Sequence, residues 1–496
     1  MCRERKMNLI RLECCNDPIK VSRFSLVPEK FGDMVVTLIR IGILVCLVAS
    51  VSLTLHSAFS KKPDQWFPLP EHVHFVQNTS FVDTGPTNIS HILFGIAGSV
   101  NTWHDRSNYS KQWWNPSTTR GFVWLDKKPS VLHPDMVVPY KISRGWAQFK
   151  YVHSASAVRI ARIVYESFRL GLPNVRWFVM GDDDTVFFTE NLVTVLGKYD
   201  HHQMYYIGGN SESVEQNVMH SYNMAFGGGG FAVSYALAAH LARMMDGCLR
   251  RYFYFYGSDQ RVWACVHEIG VPLTKENGFH QFDIRGNPYG FLAAHPLAPL
   301  VSLHHIGQLS PLFPNQTHIH SLQKLISAYS IDPARIVQQS FCYDHKRRWS
   351  VSIAWGYTIQ IYSTLLIAAD LQMPLQTFQT WRSWSDGPFT FNTRPMSSDP
   401  CKQPAMFFLD QIAKVGTSGS VSIYKRHNFS GAQCKREGIN RREVQTIKVS
   451  ALKLDPEYWK NVPRRHCCQI MDGGSIKDGS MHIRVRKCRL QETITI

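Results

Sequence analysis

Residues 175–190 read VRWFVMGDDDTVFFTE, an apolar run that ends in Gly181 and passes directly into Asp182, Asp183 and Asp184. A short continuous apolar run of this kind reads as a strand covered on both faces, and its carboxyl end then delivers three carboxylates to one place. Hard oxygen donors gathered in this way suit Mn²⁺ or Mg²⁺ and, through the cation, a diphosphate. A solvated acidic loop or a calcium site would carry the same triplet, so its surroundings decide its meaning.

Those surroundings alternate strand and helix. Residues 91–97 (HILFGIA) and 121–125 (GFVWL) read as buried strands, the first followed by Gly98 and Ser99. From Ala157, the residues Ile160, Ala161, Val164 and Phe168 recur at helical spacing until Gly171 and Pro173 stop the helix. Thr189 is placed to cap a helix bearing Leu192, Val195 and Leu196; residues 205–207 form a short strand and 234–246 another helix. This alternation predicts an α/β sheet, whose ligands sit at the carboxyl ends of the strands, where the aspartates fall. Past residue 341 the pattern changes. WSVSIAWGYTIQIY (349–362), AMFFLD (405–410) and VSIYKRH (421–427) alternate apolar with small or polar residues, which predicts a β-rich accessory module over 341–496.

At 496 residues and 44% hydrophobic content, the chain is long enough to bury a large core and to form two folded domains. Residues 34–59 are apolar apart from Arg40 and the flanking polar groups, long enough to cross a hydrocarbon layer of about 30 Å. Arg3, Arg5, Lys6, Arg11, Lys20, Arg23 and Lys30 precede the segment, so residues 1–33 are expected in the cytosol. The run starts late and lacks a small-residue cleavage site, which favours an uncleaved signal-anchor over a signal peptide. Residues 60–90, with their proline-containing KKPDQWFPLPEHVHF, read as a stem. Glycosylation sequons at Asn78, Asn88, Asn108, Asn315 and Asn428 all follow the anchor. So do Cys248, Cys265, Cys342, Cys401, Cys434, Cys467, Cys468 and Cys488, an even set compatible with disulfides in an oxidising lumen. Cys248 closes one expected helix and Cys265 lies in the next, so a bridge between them would tie down the loop carrying Asp259. The net charge of +17 is scattered and has no zinc-finger or RNA-motif context, so nucleic acid is not an expected partner.

Several motifs now fall in one order: WFVMGDDDTVFF (177–188), MAFGGGGFAVS (224–234), YGSDQRVWACVHEIGV (256–271), GFHQFD (278–283) and PLVSLHHIG (299–307). Together they resemble the fringe-like branch of glycosyltransferase family 31, most closely the plant fringe-related proteins that carry a domain of unknown function. The resemblance implies a GT-A-like nucleotide-sugar transferase domain over 91–340. It also implies a single-pass type II Golgi membrane protein and metal-dependent, inverting transfer from a UDP-sugar to a glycan or glycoprotein hydroxyl, with a bias toward β-1,3 linkage.

The same resemblance implies roles for individual residues. Asp184 is a direct ligand of Mn²⁺ or Mg²⁺, and Asp182 and Asp183 help through metal-bound water, ribose or neighbouring contacts. His304 completes the metal sphere, with His305 as its competitor. Asp259 is the catalytic base, where the plain alternative is an acid complementing a helix dipole. Gly228, Gly229 and Gly230 let backbone approach the sugar or diphosphate closely. Ala97, Ser99 and Arg106 occupy donor-site positions, while Arg159 and Arg162 are in reach of the diphosphate or simply solvate a helix face. Gln260 departs from the plant pattern, in which a second acid often follows the base. A membrane-anchored carbohydrate-binding or scaffold protein that keeps the fold without turnover is the alternative function. The anchor reading predicts that protease acting on sealed membranes removes a tag fused before Met1 and spares residues after Lys61 until detergent is added. Digestion of the C-terminal region without detergent would reverse the topology.

Overall fold

The computed structural model describes residues 29–59, 85–130, 137–428, 434, 444–471 and 479–495. The chain divides into two compact units, Met1–Val82 and Asp83–Ile496. In the first, helix α1 (Glu29–Phe59) contains the window Val36–Leu55, whose mean hydropathy is 2.4. It is long and apolar enough to cross a membrane, and Leu44, Val45 and Leu47 are exposed along it. Residues 1–28 and most of the expected stem, including Asn78, lie outside the described residues.

The second unit begins with a sheet. Its elements run β1 (Ile92–Ala97), α2 (Val100–Ser110), β2 (Arg120–Leu125), β3 (Tyr140–Ile142), α3 (Ala155–Ala161), α4 (Ile163–Phe168), β4 (Trp177–Asp182), β5 (Val186–Phe187), α5 (Thr189–Leu196), β6 (Tyr206–Gly208), α6 (Val214–Met219), β7 (Phe231–Ser234), α7 (Tyr235–Arg251), α8 (Ser258–Glu268) and β8 (Leu273–Lys275). The strand order is β3-β2-β1-β4-β7-β6-β8. β1 lies parallel to β2 and β4, whereas β7 runs antiparallel to both β4 and β6. All six residues of β1 are buried, as an apolar strand covered on both faces requires. One face packs Phe178, Val233, Leu237, Leu241 and Val262, and the other packs Ile96, Val179, Leu192 and Ile207.

Local sequence explains most element ends. Ser234 caps α7 by accepting from the Leu237 N–H, and Arg250 and Arg251 lie in the last turn, where they complement the helix dipole. Leu237, Ala238, Leu241, Met245, Cys248 and Leu249 form its buried stripe. The expected Thr189 cap is not made. Thr189 is the first residue of α5, Phe188 holds the cap position, and the Glu190 N–H donates instead to the Tyr329 hydroxyl, 2.8 Å away.

The chain continues through β9 (Phe279–His280), β10 (Ile284–Gly286), α9 (Tyr289–Ala293), β11 (Ser302–Leu303) and α10 (His318–Ile331) into β12 (Gln339–Asp344). Strand β12 therefore spans the boundary expected at 340/341. It opens a closed barrel with β13 (Trp349–Ala354) and β14 (Thr358–Tyr362). An excursion follows, carrying α11 (Ala368–Leu371), β15 (Leu375–Gln376), β16 (Phe378–Thr380) and β17 (Arg394–Pro395). The barrel then resumes with β18 (Ala405–Val415), β19 (Gly419–His427), β20 (Thr446–Leu452), β21 (Cys467–Ile470) and β22 (Ser480–Arg486), in the closed order β12-β13-β14-β18-β19-β20-β22-β21. Disulfides join Cys342 to Cys468, Cys401 to Cys434 and Cys467 to Cys488.

The barrel shares its core with the preceding segment. Phe282, Phe291, Leu303, Phe313 and Leu325 pack in one cluster with Val351, Ile359, Phe407 and Tyr424, and β16 pairs antiparallel with β10. Phe407 is fully buried there, so Phe407→Ala should cost about 3–5 kcal/mol. Because the core is shared, thermal transitions followed by far-ultraviolet circular dichroism and by tryptophan fluorescence should fall together. Separate transitions would mean that the barrel unfolds independently.

Candidate active site

Strand β4 ends at Asp182, which lies opposite Ala97 at the end of β1. The turn that follows is closed by the Thr185 hydroxyl, which accepts from the Asp182 N–H at 2.8 Å and donates to the Gly228 carbonyl at 2.7 Å. His304, just beyond β11, enters from the opposite side. Its Nε2 lies 3.1 Å from Asp184 Oδ1 and 3.7 Å from Asp182 Oδ2. His305 adopts φ 57°, and this left-handed turn sends the two rings to different partners. His305 Nδ1 lies 3.4 Å from Asp283, and its ring stacks on Trp381 at 4.9 Å.

Asp183 is used differently from its neighbours. Both of its oxygens are engaged by α2, one by Arg106 at 2.8 Å and one by the Thr102 hydroxyl at 2.7 Å. The buried carboxylate thus fixes α2 against β4 and aims Arg106, which also lies 3.4 Å from Asp184. Ser99 caps α2 by accepting from the Thr102 N–H.

The glycine run forms the floor. A Cβ on Gly228 would lie 2.0 Å from the His304 ring, and one on Gly227 would lie 2.7 Å from Asp259, so neither position has room for a side chain. The Gly229 N–H donates to Gln281 at 2.7 Å, and Gly230 takes φ 84°, where glycine is favoured. Asp259, in the first turn of α8, accepts from the Gly227 N–H at 2.9 Å and from the Ser258 hydroxyl at 2.8 Å. Asp182, Gly227, Asp259 and Ala97 line one small cavity. The aromatic loop before Asp259 is held by the fully buried Arg261, which donates to the Phe253 and Phe255 carbonyls, and by the expected disulfide, which joins Cys248 in α7 to Cys265 in α8.

Electrostatics follow from this crowding. Burial disfavours the charged form of His304, but Asp184 and Asp182 more than reverse this and raise it to about 9. Burial also acts against the Asp184 carboxylate; His304 and Arg106 outweigh it and hold the group well below the usual carboxylate range. Burial, then the charges of Asp184, Asp259 and Asp183, push Asp182 up against the pull of His304. Ligand atoms of Asp182, Asp184 and His304 all lie within 4.8 Å of one another. Two carboxylates and an imidazole fit Mn²⁺ well and Mg²⁺ less well, and a cation there would take over the charge compensation that the His304 proton now supplies.

The two expected arginines are engaged by protein groups. Arg159 is buried and donates to the Trp124 carbonyl at 2.9 Å, and Arg162 pairs with Asp246 and stacks on Phe149. Asn88, Asn108, Asn315 and Asn428 are exposed. Thr102, Thr185, Gln281, Asp283 and Trp381 were not singled out from sequence. Thr102, three residues after the cap Ser99, and Thr185, three residues after Asp182, carried local signals; Gln281, Asp283 and Trp381 act through distant pairings.

A mixed α/β sheet that presents carboxylates and an imidazole at one strand end, joined to a closed β-barrel, is the class the fold and site define. The family model described as a protein of unknown function, DUF604, matches residues 216–468, just over half of the sequence, and the chain belongs to that family. The match includes Asp259, His304 and most of the barrel and begins after the acidic strand. No curated protein matches the chain. Among solved structures, the galactosyltransferase LgtC in complex with donor and acceptor sugar analogs is similar at TM-score 0.29 and 14% identity, over 47% of this chain and 95% of that one. The catalytic domain of Drosophila beta1,4galactosyltransferase 7 gives TM-score 0.23 and 11% identity, over 37% and 63%. The mannosyltransferase PcManGT from Pyrobaculum calidifontis, in complex with GDP-Man and Mn²⁺, gives 0.22 and 10%, over 51% and 75%. Likeness at this level carries no residue role across.

The Gly228 contact makes a direct test of the metal cluster. Gly228→Ala should displace the His304 ring and weaken Mn²⁺ binding by about tenfold or more while the fold survives. Unchanged affinity by calorimetry would remove His304 from the cluster.

Proposed function

We propose that this chain is a single-pass type II Golgi glycosyltransferase of GT-A design, akin to the fringe-like branch of family 31. In this reading it transfers a sugar from a UDP-sugar, with inversion, to a hydroxyl of a glycan or glycoprotein. The observation that carries the reading is the meeting of Asp182, Asp184 and His304 at the end of β4, with Asp259 lining one cavity together with Asp182. The α/β sheet and the N-terminal apolar helix agree with it.

Asp182, Asp184 and His304 would hold Mn²⁺ or Mg²⁺, which when bound supplies the positive charge that a departing diphosphate needs. Arg106, aimed by Asp183, adds a cation at the same edge. The glycine floor allows the donor sugar to lie against backbone. Asp259 accepts two hydrogen bonds from its own surroundings, which orient the carboxylate. It takes the proton from the acceptor hydroxyl as that oxygen attacks the anomeric carbon, so inversion follows without a covalent intermediate.

Two variants separate binding from chemistry. Asp184→Ala should abolish the metal-dependent part of UDP binding. Asp259→Asn should keep UDP affinity and lower transfer by about 10²–10⁴-fold, the usual contribution of a general base. Wild-type transfer in Asp259→Asn would leave that residue as a helix-terminal acid. Metal-dependent UDP binding with no transfer to any acceptor, in wild type and variant alike, would favour the scaffold reading.

A further inference from the structure

A second cavity, of about 480 Å³, lies apart from the acidic strand end. Its wall comes from Glu212 before α6, Lys275 in β8 and His280 in β9, from the excursion through Phe391 and Asn392, and from Arg465 just before β21. Its volume falls within the range of small-ligand sites. Its hydrogen-bonding groups are unbalanced.

His280 is almost fully buried, with Nδ1 3.2 Å from Glu212 Oε1. Both Glu212 oxygens are engaged, Oε1 by the His280 ring and Oε2 by the Asp283 N–H at 3.3 Å. His280 Nε2, on the other side of the ring, is a buried atom with no hydrogen-bond partner. Arg465 repeats the pattern, with Nη1 buried and unpartnered and the guanidinium over the Phe341 ring. Among the described residues no carboxylate pairs with Arg465 or Lys275, and Glu276, the other acid in the wall, is taken by Lys198 and Tyr199. Buried polar atoms without partners are costly, so His280 Nε2 and Arg465 Nη1 call for a ligand with matching groups.

We propose that this cavity is a second saccharide site, which takes a sugar acid of the hexuronate class. The carboxylate meets Arg465 and Lys275, a sugar hydroxyl hydrogen-bonds to His280 Nε2, and the apolar face of the sugar lies against the phenylalanines. The choice of a saccharide rests on the glycosyltransferase reading. The oxyanion requirement rests on the cavity alone. The wall also touches the first site: Ser211 donates to Asp283 at 2.6 Å, and Asp283 holds His305 beside His304.

The test is calorimetric titration of the full chain in detergent with glucuronate, glucose and inorganic phosphate, alongside Mn²⁺ with UDP. Glucuronate should bind about tenfold or more tightly than either glucose or phosphate, and UDP with Mn²⁺ should not displace it. Arg465→Gln should weaken glucuronate by about tenfold and Lys275→Ala by a smaller factor, both with unchanged UDP affinity. Lys275 is an exposed residue, so its replacement leaves a folded protein even if Arg465→Gln does not. Equal binding of glucose, equal binding of phosphate, or glucuronate affinity untouched by Lys275→Ala would each overturn the proposal. Absence of glucuronate binding with intact UDP binding would overturn it and leave the transferase reading standing. Loss of UDP binding by the wild-type chain with glucuronate retained would do the reverse.

Discussion

Three carboxylates cannot occupy one buried strand end unless positive charge meets them, and the structure around β4 is organised by that requirement. Asp183 is satisfied by Arg106 and Thr102 from α2, and Asp184 by His304 from beyond β11. The partners come from either side of the acidic triplet in sequence, so the charge cluster joins the start of the sheet to the segment leading into the barrel. Removing one partner would leave a buried charge uncompensated, which is more damaging than loss of the pair together.

The glycines at 227 and 228 make that compensation geometrically possible. His304 and Asp259 approach the same stretch of backbone so closely that a side chain at either position would displace one of them. Absence of side chains here keeps the carboxylate cluster and the α8 acid at one cavity. The disulfide between Cys248 and Cys265 and the Arg261 contacts then hold the loop before Asp259 in place.

What was legible in the sequence was local. The apolar runs of β1 and β4, the Ser234 cap and the alternation in β13 and β14 depend on residues within a few positions of one another. The acidic cluster could be read because its carboxylates are consecutive. Its use could not: Asp183 binds Thr102, 81 residues away, and that contact turns it from an open carboxylate into the anchor of α2. Arg159 and Arg162 read as cations in reach of the diphosphate or on a solvated helix face; folding buries both, Arg159 beneath β2 and Arg162 beside α7. Thr189 matched a cap by type; a hydroxyl from α10 serves the helix end instead.

The barrel was legible as β-rich sequence, whereas its relation to the site was not. Strand β16, far along the chain, pairs with β10 and brings Trp381 flat against His305. Arg285 lies between Trp381 and Trp384, 4.7 and 4.2 Å from their rings, and donates to the Trp381 carbonyl at 2.6 Å, so the tryptophan is fixed from both sides. His305 in turn is held in its left-handed turn, and that turn is what points His304 toward Asp184. The excursion from the barrel therefore acts as an outer support for an imidazole whose position the whole cluster requires, and a chain ending before residue 364 would lack it.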